Sequence, residues 1–538
     1  RRQRQMCIRD RSGSFTPVAE SRFTETREQA GQPLPFAGRS DSKSRTNYGR
    51  GHFSAVFDPT PKHTAGFDIE YTERSTHMPT LSRTTLGQTQ SDSRYRQHMD
   101  GNTLTATANY IWKIDTLGSQ FKLIADYTRY TSDGDNSYHT TTCAPGTLRD
   151  SLYESATGSV YDILTADAGL TRKLPHGLTL RAGLRYTRND MADKSRYAAQ
   201  TQGTWLALPE YSYDQHYTEQ IGAAYASLEY SAGRWELSAG LRGEYTSVAS
   251  QAFGRSYFGL FPNVSVSRAL NALRTWLLVA QWSRNIERPA FPALNPARIR
   301  ISDYSWQSGN PSLRPTYIHR FSLTAVWKYR YTLTVGGNLH HDLIREIAHR
   351  DATAPDAVYI RPENHYTENH WFVAASVPAK ITRWWNLSVN AVGVMQRIRL
   401  NSTDSPATHY LMFADATCSF TLPAGFFAEA VYRAQSRLYS GNSEVGPRHT
   451  LSATVKKQLF GKRLTLFCTL SNITGCDWEF ASLTDGMRRT IDTGQAWSGR
   501  LWKVGAAWNF RTGKKFRART VESAAETQRK RLVKSTEQ

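Results

Sequence analysis

The chain has 538 residues, with 67 Lys or Arg against 46 Asp or Glu, a formal net charge of +21, and 12% aromatic residues within a hydrophobic content of only 39%. That balance excludes a bundle of spanning helices: no apolar run approaches the roughly 18 residues such a helix needs, and the longest, such as 276–280, last about five. It excludes a nucleic-acid footprint too, because nine Lys or Arg against three Glu fall in 511–538 and five Arg against one Asp in 1–11, leaving a diffuse excess without a basic helix or stripe.

At the start, no charged region followed by an apolar one marks an export signal. Met6-Cys7-Ile8-Arg9-Asp10-Arg11 reads as a translated sequencing-library transposon end, so residues 1–11 are expected to be foreign and the natural chain to continue upstream of Ser12. Residues 14–27 supply a first strand, and 48–57, closed by a short turn near 58–62, a second running the opposite way.

From there the hydrophobic period is two. In 178–187, Leu178, Leu180, Ala182, Leu184 and Tyr186 alternate with Thr179, Arg181, Arg185 and Thr187; in 234–245, Trp235, Leu237, Ala239, Leu241 and Tyr245 alternate with Arg234, Glu236, Ser238, Arg242 and Glu244. The pattern recurs at 463–471 and 502–510. Strands of about ten residues suit a tilted crossing of a bilayer, against five or six in soluble sheets. Charged residues at alternate positions suit a wet lumen.

Short turns fall at 115–118, 174–177, 231–234, 270–272, 329–331, 423–425 and 460–462. Between them lie polar stretches at 74–101, 132–157, 192–212, 287–313 and 347–365, expected as long outer loops. Aromatics sit beside the short turns: Tyr110 and Trp112, Trp235, Trp276, Trp327 with Tyr329 and Tyr331, Trp384 with Trp385, Phe426 with Phe427. A repeated set of that kind reads as an interfacial girdle.

The last strand carries Trp502, Val504, Ala506, Trp508 and Phe510 on one face and ends in an aromatic, as closing strands recognised by barrel-insertion machinery do. The tail 511–538 is expected to be a basic, disordered periplasmic extension. The fold class predicted over 12–510 is all-β: a large antiparallel transmembrane β-barrel, about 20 strands present of about 22.

Other chemistry is weakly signalled. His340-His341-Asp342 does not read as a metal site, because successive strand residues point to opposite faces. Cys7, Cys143, Cys418, Cys468 and Cys476 show no metal-ligand spacing, and Cys468 with Cys476 could bridge across a loop. No nucleophile elbow, phosphate-binding glycine loop or HExxH is present, so no catalytic residue, cofactor or enzymatic activity is expected.

Phe261-Pro262-Asn263 opening a strand, Arg288-Pro289 with Leu294-Asn295-Pro296, and Gly309-Asn310-Pro311-Ser312-Leu313-Arg314-Pro315 leading into a strand occur in that order. Tyr110-Ile111-Trp112-Lys113-Ile114-Asp115-Thr116-Leu117-Gly118 precedes them as strand and tight turn. Across roughly 45–520 the chain thereby resembles the outer-membrane β-barrel proteins of Bacteroidota grouped with TonB-dependent receptors.

The resemblance implies a receptor in outer-membrane lipid that takes a small nutrient ligand at its outer loops and passes it inward when a TonB-type energiser acts on a plug domain. The plug is expected upstream of the present residues. Within 287–315, Arg298, Arg300, Tyr304 and Trp306 are the candidate lining of a ligand entrance. A surface-binding or structural barrel without transport is the alternative, and a soluble secreted β protein or enzyme the third.

Overall fold

The computed structural model describes residues 3–4, 8–29, 32–251, 253–302, 304–351, 357–476, 478–484, 487–493, 500–508 and 521–532. Among these, twenty strands follow one another around a wall: β1 (Ile8–Gln29), β2 (Gln32–Thr60), β3 (His63–Leu86), β4 (Thr89–Lys113), β5 (Gln120–Ala144), β6 (Thr147–Lys173), β7 (Leu178–Thr201), β8 (Tyr213–Ala232), β9 (Trp235–Ser250) and β10 (Gly254–Ala269). They continue with β11 (Trp276–Glu287), β12 (Thr316–Trp327), β13 (Tyr331–Arg350), β14 (Val358–Lys380), β15 (Trp385–Arg399), β16 (Ala407–Leu422), β17 (Phe426–Gln435), β18 (Arg448–Leu459), β19 (Leu464–Ser471) and β20 (Leu501–Trp508).

Each wall strand pairs antiparallel with the next, from β1 with β2 through to β19 with β20. The first and last parts of the chain meet on the outer side. There Arg489–Thr493, in the connection from β19 to β20, pairs with Ser21–Glu25 of β1.

The alternation sets two media on the two faces. Leu184 is 65% exposed and Leu241 50%, whereas Thr187 and Thr246 are buried. Because period two puts successive side chains on opposite faces, a whole strand's apolar set turns outward to lipid while its hydroxyls, amides and charges turn into the lumen. Threonine pairs such as Thr165 with Thr187 (3.3 Å) stitch adjacent strands on the inner side.

The short turns lie where glycine and proline place them. Leu174-Pro175-His176-Gly177 and Leu422-Pro423-Ala424-Gly425 adopt the same geometry, with φ of 61° and 58° at His176 and Ala424 and of 74° and 75° at the glycines. Gly177 is needed twice over, since a Cβ there would also overlap the Ser231 carbonyl oxygen.

Four of the expected outer loops are instead largely continued strand, 347–365 among them through Arg350 and again from Val358. Residues 74–101 and 132–157 form tall hairpins that turn only at Gly87 and Gly146, and β7 runs through 192–201 before a short returning strand, Thr204–Ala207. Their serines and threonines read as loop by composition, but β-branched and hydroxylated residues also suit a sheet wetted on its outside. Inside, Thr140 Oγ1 donates to Ser93 Oγ at 3.0 Å with both residues buried. Residues 14–27 and 48–57 belong to longer strands, β1 and β2, which pair antiparallel with each other.

The tail differs from its expectation as well. Residues 521–532 lie along the inner wall, hydrogen-bonded to β5, β7 and β8. Phe510, residues 511–520 and residues 533–538 lie outside the described residues. Cys468 is a wall residue of β19, registered against Val455 and Val504, with a free thiol.

Candidate functional site

Loop 288–315, between β11 and β12, does not stand out into water. It folds inward, and Phe291 and Leu294 of a short helix (Phe291–Leu294) together with Leu313 are buried against Tyr161, Ile163, Met191, Tyr217 and Val248 of the inner wall. Apolar side chains here leave water inside the barrel, which gives the infolding its driving force. The hydrophobic cluster inside this polar lumen is therefore made by five wall residues and three loop residues.

Backbone clamps fix the loop. Gly309 N and Asn310 N donate to Asn295 O (2.9 Å) and Ala293 O (2.7 Å), and a Cβ at Gly309 would overlap the Asn295 carbonyl, so this crossing needs glycine. Asn310 Oδ1 accepts from Ser312 N at 3.0 Å while its amide donates to Pro362 O at 3.1 Å. Asn364 of β14 accepts from Arg314 N and donates to Arg314 O, both at 2.9 Å. The asparagine–proline motifs of the sequence are thus the loop's fasteners.

At the outer side of the loop the structure places the predicted entrance residues. The Arg298 guanidinium lies 5.3 Å from the Tyr211 ring centre and 3.6 Å from Asp351, and Tyr197 donates its hydroxyl to Arg298 O at 2.5 Å. Trp306 stacks on Tyr211 with centroids 5.8 Å apart and planes within 2°. Tyr304 meets Phe36 of β2 edge-on at 5.1 Å. Arg298, Tyr211 and Trp306 are therefore brought together, while Tyr304 faces another part of the wall. Arg300 registers opposite Trp306 in a small two-stranded turn, and its side chain lies outside what is described.

Between the loop and β13 is a cavity of about 370 Å³ lined by Arg288, Ala293, Thr316, His340, Arg345 and Glu346, among others. Gln307 Nε2 donates to Glu346 Oε1 at 2.9 Å and pins the loop at the cavity's edge. A pocket with few convergent donors and an apolar remainder orients a small polar molecule. Arg288, at the root of the loop, reaches Glu244 at 2.7 Å and Thr246 Oγ1 at 2.9 Å, with Glu219 at 3.9 Å. Burial alone would weaken its charge, but the carboxylates of Glu219 and Glu244 outweigh that and hold the guanidinium above its ordinary range.

Beside the cavity, sharing Arg345 and His340 with it, a second polar hub surrounds Glu368, which is fully buried. Arg345 Nη2 donates to it at 2.9 Å, Gln396 Nε2 at 2.8 Å, and His370 Nε2 lies at 2.8 Å. The His340 ring lies 5.0 Å from that of His370, whereas His341 packs on Tyr366. The two neighbouring histidines thus have separate surroundings.

The sequence reading missed Tyr211, Arg345, Asp351 and the lumen carboxylates Glu219 and Glu368, and it named Arg288 and Glu244 without joining them to one another. The lumen carboxylates were legible as inward charges by parity. Tyr211 and Asp351 carry no local signal, because only the chain's path brings them to Arg298.

Residues 112–501 match the model of the outer membrane protein beta-barrel family. Among solved structures, the ferric-catecholate import receptor Fiu of E. coli K12 aligns with a TM-score of 0.51 at 9% identity, over 89% of this chain and 82% of that one. The ferric yersiniabactin uptake receptor FyuA of Yersinia pestis aligns at 0.49 and 10%, over 91% and 80%, and the alcaligin receptor FauA of Bordetella pertussis at 0.48 and 13%, over 88% and 75%. No curated protein matches the sequence.

Proposed function

The chain belongs to the outer membrane protein β-barrel family, whose model covers most of its length, and on that premise we propose that it is an outer-membrane receptor barrel that binds a nutrient at its outer mouth for import. The observation that carries this reading is the infolded loop, which sets Arg298 and Trp306 beside Tyr211 while their chain neighbours Ala297, Ile299 and Gln307 line a polar cavity. A cation and a stacked aromatic pair suit a planar, anionic ligand. Transport would follow if a TonB-type energiser acts through a plug domain.

The test is calorimetric titration of the reconstituted barrel with ferric catechol complexes, corrinoids, anionic oligosaccharides and acidic peptides. One class is expected to bind saturably, and Arg298→Ala and Trp306→Ala each to weaken it about tenfold, or about 1.4 kcal/mol. A second reading, a surface-binding or structural barrel without transport, is favoured by the occupation of the lumen by the chain's own loop and by residues 521–532. Absence of saturable binding across the panel would leave the structural barrel of that second reading standing.

A further inference from the structure

Residues 521–532 climb the inner wall from its periplasmic edge to the root of loop 288–315. Val521 lies against Gly66 of β3, close to the turn at 61–62, and Glu522 takes both its carboxylate oxygens to Lys122 Nζ at 2.7 and 2.9 Å. Higher up, Ala524 N donates to Asp126 Oδ2 at 2.7 Å, while the other oxygen of Asp126 is held by Thr107. A one-turn helix (Glu526–Arg529) then brings Gln528 to Asn189.

The last contacts are the most buried. Arg531 is 7% exposed and Glu219 only 2%. The Arg531 guanidinium donates to Glu219 and, at 2.8 Å, to Gln528 Oε1; its Nε donates to Pro289 O at 3.0 Å; and its plane lies 4.2 Å from the centre of the Phe291 ring. Asn189 steadies the receiving carboxylate with a hydrogen bond of 2.8 Å. Leu532 packs on the cluster that contains Phe291, Leu294 and Leu313. Of these groups, Pro289, Phe291, Leu294 and Leu313 belong to the infolded loop, and Glu219 and Asn189 to the wall.

We propose that segment 521–532 is a latch threaded up the lumen, which holds loop 288–315 in its infolded position by seating Arg531 between Glu219 and Phe291. The mechanism is physical. A buried cation with a carboxylate, a carbonyl and a ring face around it binds wall and loop at once, and withdrawing it leaves Glu219 with less counter-charge and Phe291 with one side bare. The segment's lower end sits at the periplasmic edge, so a partner engaging it there would alter a loop on the opposite side of the membrane. This inference rests on the barrel alone and needs no ligand.

The experiment is limited trypsin cleavage of the reconstituted protein at Arg298 and Arg300, comparing the wild-type chain with Arg531→Ala and with a chain ending at Thr520. Both variants are expected to be cut at least tenfold faster while keeping the heat-modifiable gel mobility of a folded barrel. A synthetic peptide of residues 521–532, added to the shortened chain, should restore protection. Equal cleavage in folded variants overturns the latch. Amide exchange in the wild-type protein decides independently of any variant: Ala524, Gln528 and Arg529 donate hydrogen bonds and should be strongly protected, and exchange at the rate of a free peptide overturns the proposal.

Discussion

Leu241 and Ser238 lie three residues apart on β9 and face opposite media, Leu241 outward at 50% exposure and Ser238 inward. Arg at 241 is expected to cost about 2–4 kcal/mol near the bilayer midplane and Arg at 238 little, by urea unfolding from liposomes. Equal losses at the two positions would contradict the assignment of faces. Thr179, another inward position legible from parity, is a poorer control, because it already accepts a hydrogen bond from Lys173 Nζ at 2.9 Å and an added cation would crowd it. Single residues were legible wherever period two governed them. They were not where function depends on residues far apart in the chain: Arg298 could be named from its loop, but Tyr211 beneath it and Asp351 beside it arrive from two other segments.

Turns and loops differ in how local their causes are. The short turns could be placed from sequence because Pro175-His176-Gly177 and Pro423-Ala424-Gly425 carry their own backbone chemistry. The tall outer hairpins could not, since serine and threonine report contact with water and not the end of a strand. Two glycines separate wall from loop. Gly177→Ala forces a left-handed turn residue to carry a Cβ against Ser231 and should lower barrel stability by about 1–3 kcal/mol. Gly309→Ala should leave unfolding of the wall almost unchanged, yet push Asn295 and the loop apart and speed trypsin cleavage at Arg298. The reverse pattern, with the wall weakened and the loop still protected, would mean that the loop does not depend on the Gly309 crossing.

At the scale of the whole molecule, the antiparallel wall was legible because lipid outside and water inside impose one repeated rule on every strand. The filling of the lumen was not. Composition assigns a charged segment such as 511–538 to solvent, but that inference holds only where solvent is the sole polar partner. Inside this wall Asp126, Asn189 and Glu219 offer the same hydrogen bonds, and residues 521–532 take them. The loop likewise finds apolar wall residues within the lumen and packs there instead of outside. The family match, the period-two wall and the outward leucines all rest on one claim, that these strands cross a bilayer.

The most direct test of that claim is a nitroxide scan of positions 235–245 on β9, one label at a time, in a cysteine-free background reconstituted in liposomes. Collision with oxygen, which concentrates in lipid, should peak at 235, 237, 239, 241, 243 and 245, and collision with a water-soluble nickel chelate at the positions between them. Accessibility without that alternation, or the same profile with lipid removed, would contradict a transmembrane barrel.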